Sequence, residues 1–233
     1  ITLGVGQFCT NPGLIIAIEG EGLTKFIASL AAEFQKVLPG SMLHQGIADN
    51  YAKKLSQALA QRGVKTEGQS PVEGSPSQGR PLVASVSAED FIKNPALAEE
   101  VFGPFSLIVR CKNSEELHTA VNRSHGQLTA TVIGDETEVL NYSSMMNVLV
   151  EKAGRLIING VPTGVEVCPS MQHGGPFPAT TDSRFSAVGT DAIKRFSRPV
   201  AFQNFPDSLL PDELKEANPL GIWRLRNNER IKK

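Results

Sequence analysis

Cys9 is the residue whose surroundings most strongly suggest chemistry. It lies in the segment GQFCTNPG, just before the turn-forming residues Asn11, Pro12 and Gly13. A cysteine in polar, turn-forming surroundings can present its sulfur to a ligand, and the thiolate form is a good nucleophile. An isolated cysteine is also commonly a small buried apolar residue, and Cys111, at the end of a strand-like run, fits that role. The sequence therefore makes Cys9 a candidate nucleophile, with packing as the alternative.

Residues 99–104, EEVFGP, form a second candidate segment. Glu100 stands two residues before Phe102, and a Gly-Pro pair then breaks the chain ahead of a strand-like run. A carboxylate can accept hydrogen bonds from sugar hydroxyls, and an aromatic face can pack on a heteroaromatic ring. The alternative is a helix end with a solvated carboxylate and a core phenylalanine, which the local sequence favours.

His173 is a third candidate, because a histidine in a loop can act as a base. It precedes Gly174 and Gly175 within the long segment 159–181, which is rich in glycine and proline and shows no periodicity. Loops longer than about 12–15 residues in compact domains are usually functional or disordered. The alternative, a loop histidine beside glycines needed for tight turns, fits the local sequence better.

Composition excludes several classes of protein. Twenty-three basic and 24 acidic residues among 233 give a net charge of -1, without the basic excess of a nucleic-acid-binding surface. No apolar run approaches the roughly 18 residues of a membrane span. The three cysteines are scattered and show no metal-ligand spacing, so we expect neither a metal site nor a disulfide framework. This pattern favours a reducing compartment and a cytoplasmic protein.

The pattern of elements predicts an α/β fold, a mainly parallel sheet with helices on both faces. Strand-like runs at 14–18, 82–86, 105–109, 128–133 and 156–158 alternate with helical patterns. Ser87 followed by Asp90, and Asn113 followed by Glu116, resemble helix caps.

The predicted domain organisation is a catalytic α/β domain over residues 1–205 and a surface or subunit-contacting tail over 206–233. Residues 66–81 are rich in serine, glycine and proline, and we predict a flexible loop there. A short helix is predicted at 190–196. The start at Ile1, with a dense motif close behind it, indicates a piece of a longer protein.

Taken together, these segments resemble the second half of an aldehyde dehydrogenase. GQFCTNPG, EEVFGP and then GRLIINGVPTGVEV and HGGPFPATT occur in order and at plausible spacing, and the resemblance covers essentially the whole chain. With RPVAFQNFPDSLLP, these stretches are most similar to the subgroup of α-ketoglutarate semialdehyde dehydrogenases and NADP-dependent fatty aldehyde dehydrogenases.

The resemblance implies a role for three residues. Cys9 corresponds to the family's nucleophile, and its backbone N–H to half of an oxyanion hole. Glu100 corresponds to the glutamate that binds the nicotinamide-ribose hydroxyls, and Phe102 to the aromatic residue beside the nicotinamide of NADP or NAD. The implied reaction converts an aldehyde to a carboxylate through a thiohemiacetal and a thioester on cysteine.

The same resemblance implies that parts of the enzyme lie outside this chain. The family's dinucleotide-binding domain, its general-base glutamate and a second oxyanion-hole residue normally precede the cysteine. We therefore expect the partners to be the N-terminal half of the same enzyme, an aldehyde and the cofactor, in a homo-oligomer, and we expect the isolated chain to be inactive. Two alternatives remain open: a cysteine hydrolase using His173 as base, which requires both side chains within hydrogen-bond reach, and a non-catalytic module with the same fold.

Overall fold

Two units make up the chain in the computed structural model, Ile1–Arg195 and Phe196–Lys233. The structure describes residues 1–162 and 164–232; Thr163, within the long loop, and Lys233, at the end of the predicted tail, lie outside them. Within the described residues no helix is both long and apolar enough to cross a membrane.

Ten strands and six α-helices are present in the described residues. The strands are β1 (Leu14–Ile18), β2 (Gly40–Ser41), β3 (Lys65–Gln69), β4 (Gln78–Gly79), β5 (Leu82–Ser87), β6 (Phe105–Cys111), β7 (Gln127–Val132), β8 (Ala153–Ile158), β9 (Arg224–Arg226) and β10 (Glu229–Ile231). The helices are α1 (Glu21–Phe34), α2 (Gln45–Leu59), α3 (Ala88–Lys93), α4 (Ser114–Arg123), α5 (Glu136–Leu140) and α6 (Ser143–Lys152). Short 3-10 helices cover Leu3–Gly6, Pro95–Ala98, Thr190–Phe196 and Asp207–Leu209.

The main sheet has the strand order β1-β6-β5-β3. The pairs β1–β6 and β5–β6 are parallel, and β3 joins as an antiparallel edge strand. β5 and β6 are almost entirely buried, as the central strands of a sheet covered on both faces should be. The predicted α/β fold with a mainly parallel sheet is confirmed.

Helices cover both faces of this sheet. Val83 and Ile108 pack with α1 on one face, whereas Ala84 and Val109 belong to the larger core cluster with residues of α2, α3 and α4. Neighbouring residues of a strand point to opposite faces, so the apolar runs of β5 and β6 supply both cores at once.

A second, two-stranded parallel sheet contains β7 and β8. It follows the main sheet through α4, which also packs on β1, and α6 packs on α4 and on β8. α4 and α6, which pack on each other, therefore cover one sheet each.

The predicted loop over residues 66–81 has strand residues near both of its ends, with residues 70–77 outside any helix or strand. Four of the five residues of β3 fall in this segment, and β4 pairs with β2 within it. The ladder of β3 with β5 uses backbone groups, which any side chain permits, and Gly68 lies directly against Ala31 of α1. Composition alone could not show this pairing.

The unit Phe196–Lys233 contains a hairpin that the sequence analysis did not predict. β9 and β10 pair antiparallel around Asn227 and Asn228, whose φ angles of 49° and 67° are those of a tight hairpin turn. Contacts divide the chain after Arg195, whereas the sequence analysis placed the boundary after residue 205.

We expect loss of the α4 cap to destabilise the protein measurably. The Asn113 side chain accepts a hydrogen bond from Glu116 N at 2.9 Å, as the sequence predicts. Asn113→Ala should lower the free energy of unfolding by about 0.5–2 kcal/mol in urea titrations. Ser114→Ala, one residue along, is the matched control and should change it by less than about 0.5 kcal/mol. Equal losses in the two variants would contradict the capping role.

Candidate functional site

The Cys9 turn is fixed against the 99–104 loop. Gly6 has a φ of 66° and its backbone approaches the Gly103 carbonyl so closely that a side chain at Gly6 would collide with it. The Asn11 amide donates a hydrogen bond to the same carbonyl oxygen at 3.1 Å. The structure therefore brings the Cys9 turn and the Glu-x-Phe loop together through backbone contacts, although they are far apart in sequence.

The sulfur of Cys9 lies beside an imidazole. Its Sγ is 3.2 Å from His173 Nε2, within hydrogen-bond distance for a thiol. Cys9 is exposed, whereas His173 is only 8% exposed. The thiol is therefore accessible from solvent while its partner is held inside the protein.

The backbone on both sides of His173 is held in place. His173 N donates to Ser186 Oγ at 3.0 Å, and Ala187 N donates to the His173 carbonyl at 2.8 Å. Gly154 of β8 faces the Gly174 carbonyl in a space that no Cβ could occupy, and a Cβ at Gly175 would likewise collide with the Gln127 carbonyl of β7. These contacts seat the histidine loop on the β7–β8 sheet.

His173 is electrostatically suited to accept a proton. Burial lowers its pKa below the ordinary value of 6.5, and the positive charge of Arg155 lowers it further. Nδ1 is buried and has no hydrogen-bond partner among the described residues. A neutral imidazole with Nε2 toward the sulfur can take the thiol proton.

Arg155 of β8 connects this region to the Cys9 turn. Its guanidinium donates to the Gly164 carbonyl at 3.1 Å and, at 3.5 Å, to the Pro162 carbonyl. The hydroxyl of Thr10 donates to that same Pro162 carbonyl at 2.8 Å. Thr10 is the neighbour of Cys9, so the Cys9 turn and Arg155 of β8 share one hydrogen-bond acceptor.

Cys9 and Thr10 border a cavity of about 750 Å³. Its walls are mostly apolar and come from β1, β7, α4 and α6, with Phe26 of α1. A thiol at the edge of such a cavity can meet a small organic substrate.

The other predicted residues lie in the loop beside Cys9. Glu100 is exposed and Phe102 is half-buried. The Glu100 carboxylate forms no ion pair or hydrogen bond with the rest of the described chain, so its oxygens are open to a ligand. No hydrogen bond joins either side chain to Cys9 within residues 1–162 and 164–232.

The remaining cysteines are in different environments. Cys111 is fully buried, and burial raises the pKa of its thiol to about 12, with smaller contributions from Glu116 and Glu19. Cys168 is partly exposed, with its sulfur 3.4 Å from Ser170 Oγ. Among the three, Cys9 is the exposed thiol with an imidazole beside it.

The structure also changes the interpretation of His173. Local sequence favoured a loop histidine serving only the backbone turn, yet the fold places it against Cys9, 164 residues away. The separation of Cys9 and His173 in the sequence did not predict this contact. The resemblance supplied the segment HGGPFPATT but assigned no role to its histidine.

These features define an α/β domain that presents an accessible cysteine thiol beside a buried imidazole at the edge of a cavity. Within the described residues no group of three or more histidine, cysteine or acidic side chains could hold a metal ion. Comparison with known proteins specifies the class further. The model of the aldehyde dehydrogenase family matches residues 1–197, and the chain belongs to this family.

Two relatives are similar over nearly the whole chain. One, the alpha-ketoglutaric semialdehyde dehydrogenase 2 of Azospirillum brasilense, is 47% identical over 98% of this chain and 44% of its own length. The other, the alpha-ketoglutaric semialdehyde dehydrogenase of Acinetobacter baylyi, is 42% identical over 97% of this chain and 43% of its own length. The chain thus spans less than half the length of these relatives.

A solved structure shows the same fold. The lactaldehyde dehydrogenase of Escherichia coli is 19% identical and superimposes with a TM-score of 0.65, covering 84% of this chain and 40% of the enzyme. At this identity the similarity concerns the fold alone.

We expect Gly154→Ala to separate Cys9 from His173. The added Cβ would collide with the Gly174 carbonyl and displace the histidine loop. Alkylation of Cys9 by iodoacetamide, followed by mass spectrometry, should slow by about tenfold or more, because a positioned proton acceptor contributes ~10²–10⁴ in rate. Gly13→Ala is the control, since a Cβ there meets nothing within 4 Å. Unchanged alkylation in folded Gly154→Ala protein would contradict the coupling.

The titration of His173 tests whether burial and the charge of Arg155 lower its pKa. Its NMR midpoint should lie below about 6.5, the ordinary value for histidine, and Arg155→Met should move it upward by removing a nearby positive charge. The resonance is assigned as the one missing in His173→Gln protein. A midpoint for His173 that is independent of Arg155 would contradict the electrostatic argument.

Proposed function

We propose that this chain is the thiol-bearing catalytic part of an NAD(P)-dependent aldehyde dehydrogenase, with Cys9 as nucleophile. The observation that carries the proposal is the 3.2 Å contact between the exposed Cys9 Sγ and the buried His173 Nε2 at the edge of the cavity. Membership of the family supports the class of reaction.

The first step follows from this contact. His173 accepts the thiol proton through Nε2 while the sulfur of Cys9 attacks the aldehyde carbon and forms a thiohemiacetal. The carbonyl oxygen gains negative charge, and the Cys9 N–H, which makes no hydrogen bond to the described residues, is free to donate to it.

The 99–104 loop fits a role in cofactor binding. The open carboxylate of Glu100 can accept hydrogen bonds from the ribose hydroxyls, and the half-buried Phe102 ring can pack beside the nicotinamide. The bound nicotinamide supplies the hydride acceptor. Once oxidised, the carbon remains attached to Cys9 as a thioester, and attack by water releases the carboxylate and regenerates the thiol.

For the substrate we propose a semialdehyde that carries a carboxylate. The support is the activity for which the two relatives are named, alpha-ketoglutaric semialdehyde dehydrogenases at 47% and 42% identity. A long-chain fatty aldehyde is the alternative. We further propose that the chain works with the N-terminal half of the same enzyme in a cytoplasmic homo-oligomer, and that isolated residues 1–233 do not oxidise aldehydes.

A cysteine hydrolase is the second candidate function. It required Cys9 and His173 to lie within hydrogen-bond reach, and their 3.2 Å separation meets that requirement. The two candidates differ in whether turnover consumes a nicotinamide cofactor.

The test uses a chimera in which this chain is joined to the part of the Azospirillum brasilense relative that it does not cover. We expect NAD(P)-dependent oxidation of α-ketoglutaric semialdehyde, more efficient than that of a long-chain aldehyde, measured by reduced-nicotinamide absorbance. Cys9→Ser should lower kcat by about 10³-fold or more, as expected for a nucleophile. Cys168→Ser, the matched control, should leave kcat nearly unchanged.

Three outcomes would count against the proposal. Oxidation by the isolated chain would show that the missing part is dispensable, and full activity in Cys9→Ser would exclude this nucleophile. Cofactor-independent hydrolysis of an activated ester by the isolated chain, together with a folded but non-oxidising chimera, would favour the hydrolase.

A further inference from the structure

A valine in a left-handed conformation lies shortly before Cys9 in the chain. Val5 has a φ of 58° and a ψ of 33°, and its neighbours Gly4 and Gly6 also have positive φ angles, of 54° and 66°. Glycine adopts such angles freely, whereas a β-branched residue does so at a steric cost. A strained residue persists only where the surrounding structure holds it, and such residues are concentrated at functional sites. The surroundings of Val5 must therefore supply interactions that offset this strain.

The side chain of Val5 occupies a slot between two glycines of the β2–β4 ladder. Gly40 of β2 and Gly79 of β4 are directly paired. A Cβ at Gly40 would lie 2.5 Å from Val5 Cγ2, and the three heavy atoms nearest to that Cβ all belong to Val5. A Cβ at Gly79 would lie 3.0 Å from Val5 Cγ1. The two missing side chains therefore leave the space that the Val5 methyl groups fill.

The slot also lies beside the loop of residues 99–104. Val5 is half-buried and packs against the larger core cluster. A Cβ at Gly79 would also meet Pro104 Cδ at 3.1 Å, and Pro104 is the last residue of that loop. Val5 and Pro104 thus border the same glycine, so the slot anchors the turn before Cys9 next to the Glu-x-Phe loop.

The residues between Val5 and Cys9 fold back onto the turn. Gln7 donates to the Gly4 carbonyl from its backbone N–H at 3.2 Å and from its side-chain Nε2 at 3.1 Å. The Phe8 ring covers Gly4, where a Cβ would lie 2.7 Å from Phe8 Cε2. Because these contacts close the turn around Val5, a displacement of Val5 also displaces Cys9.

We propose that Val5 is a positioning residue for the reaction at Cys9: the Gly40–Gly79 slot locks its side chain, and the locked turn holds the thiol beside His173 Nε2. The inference rests on the proposed function, in which Cys9 is the nucleophile. A glycine at position 5 would fit the backbone angles better, so the valine is favoured by its fit in the slot and not by the turn itself. Loss of the packing in the slot therefore lets the turn relax and moves the sulfur.

Removal of the Val5 methyl groups tests this role. In folded Val5→Ala protein, alkylation of Cys9 by iodoacetamide should slow by about tenfold or more, because a displacement of ~1 Å at a reacting group can cost ~10²-fold in rate. Val5→Thr has the same branched shape and should retain the parent rate. Val64→Ala is the matched control, because Val64 is also half-buried against the larger core cluster and should lose stability without slowing alkylation. Equal alkylation rates in Val5→Ala and Val64→Ala would overturn the proposal.

Gly40→Ala tests the slot from the other side. The added Cβ would collide with Val5 Cγ2 and push the side chain out, so alkylation of Cys9 should slow as in Val5→Ala. In the Val5→Ala background this collision is absent, and adding Gly40→Ala should cause little further slowing. Gly22→Ala, where a Cβ meets nothing within 4 Å, is the control. Effects that multiply in the double variant would show two independent sites and contradict the slot.

The chimera described above separates the inference from the proposed function. There Val5→Ala should lower kcat by about tenfold or more and leave KM nearly unchanged, because Val5 is not among the residues that line the cavity. A chimera that oxidises the semialdehyde equally well with Val5→Ala would retain the function and reject the anchor. A chimera that does not oxidise aldehydes, but in which Val5→Ala still slows alkylation of Cys9, would retain the anchor and reject the function.

Discussion

The contact between Cys9 and His173 depends on close backbone packing on the β7–β8 sheet. Gly154 and Gly174 meet where no side chain fits, and Gly175 approaches Gln127 in the same way. Glycine permits this approach because it has no Cβ. The result is a buried imidazole whose Nε2 lies 3.2 Å from the sulfur of an exposed cysteine.

Burial has opposite effects on the pKa of an imidazole and the pKa of a thiol. A buried imidazole resists protonation, and the nearby Arg155 adds to that resistance, so the side chain remains a proton acceptor. Cys111 shows the contrasting case, in which burial raises the pKa of a thiol and keeps it inert. The exposed sulfur of Cys9 is accessible to a substrate, and the buried imidazole of His173 is kept neutral beside it.

Cys9 and His173 come from segments on opposite sides of the cavity. Cys9 precedes β1, whereas His173 sits in the loop that packs on β7 and β8. Thr10 and Arg155 of β8 both donate hydrogen bonds to the Pro162 carbonyl, so a polar network links the two sides beside the sulfur. The geometry of the thiol and the imidazole therefore depends on contacts between segments that are far apart in the sequence.

The sequence by itself determined the alternation of strands and helices, the caps at Ser87 and Asn113, and the candidacy of Cys9, because these depend on periodicity and local turn chemistry. Only the tertiary structure decided the pairing of β3, the position of His173 beside Cys9 and the cavity between β1 and β7. Each of these depends on backbone groups or on side chains far apart in the chain, which composition and spacing do not encode. The His173 loop illustrates the difference, since its sequence predicts a turn and only packing on β8 brings it to the sulfur.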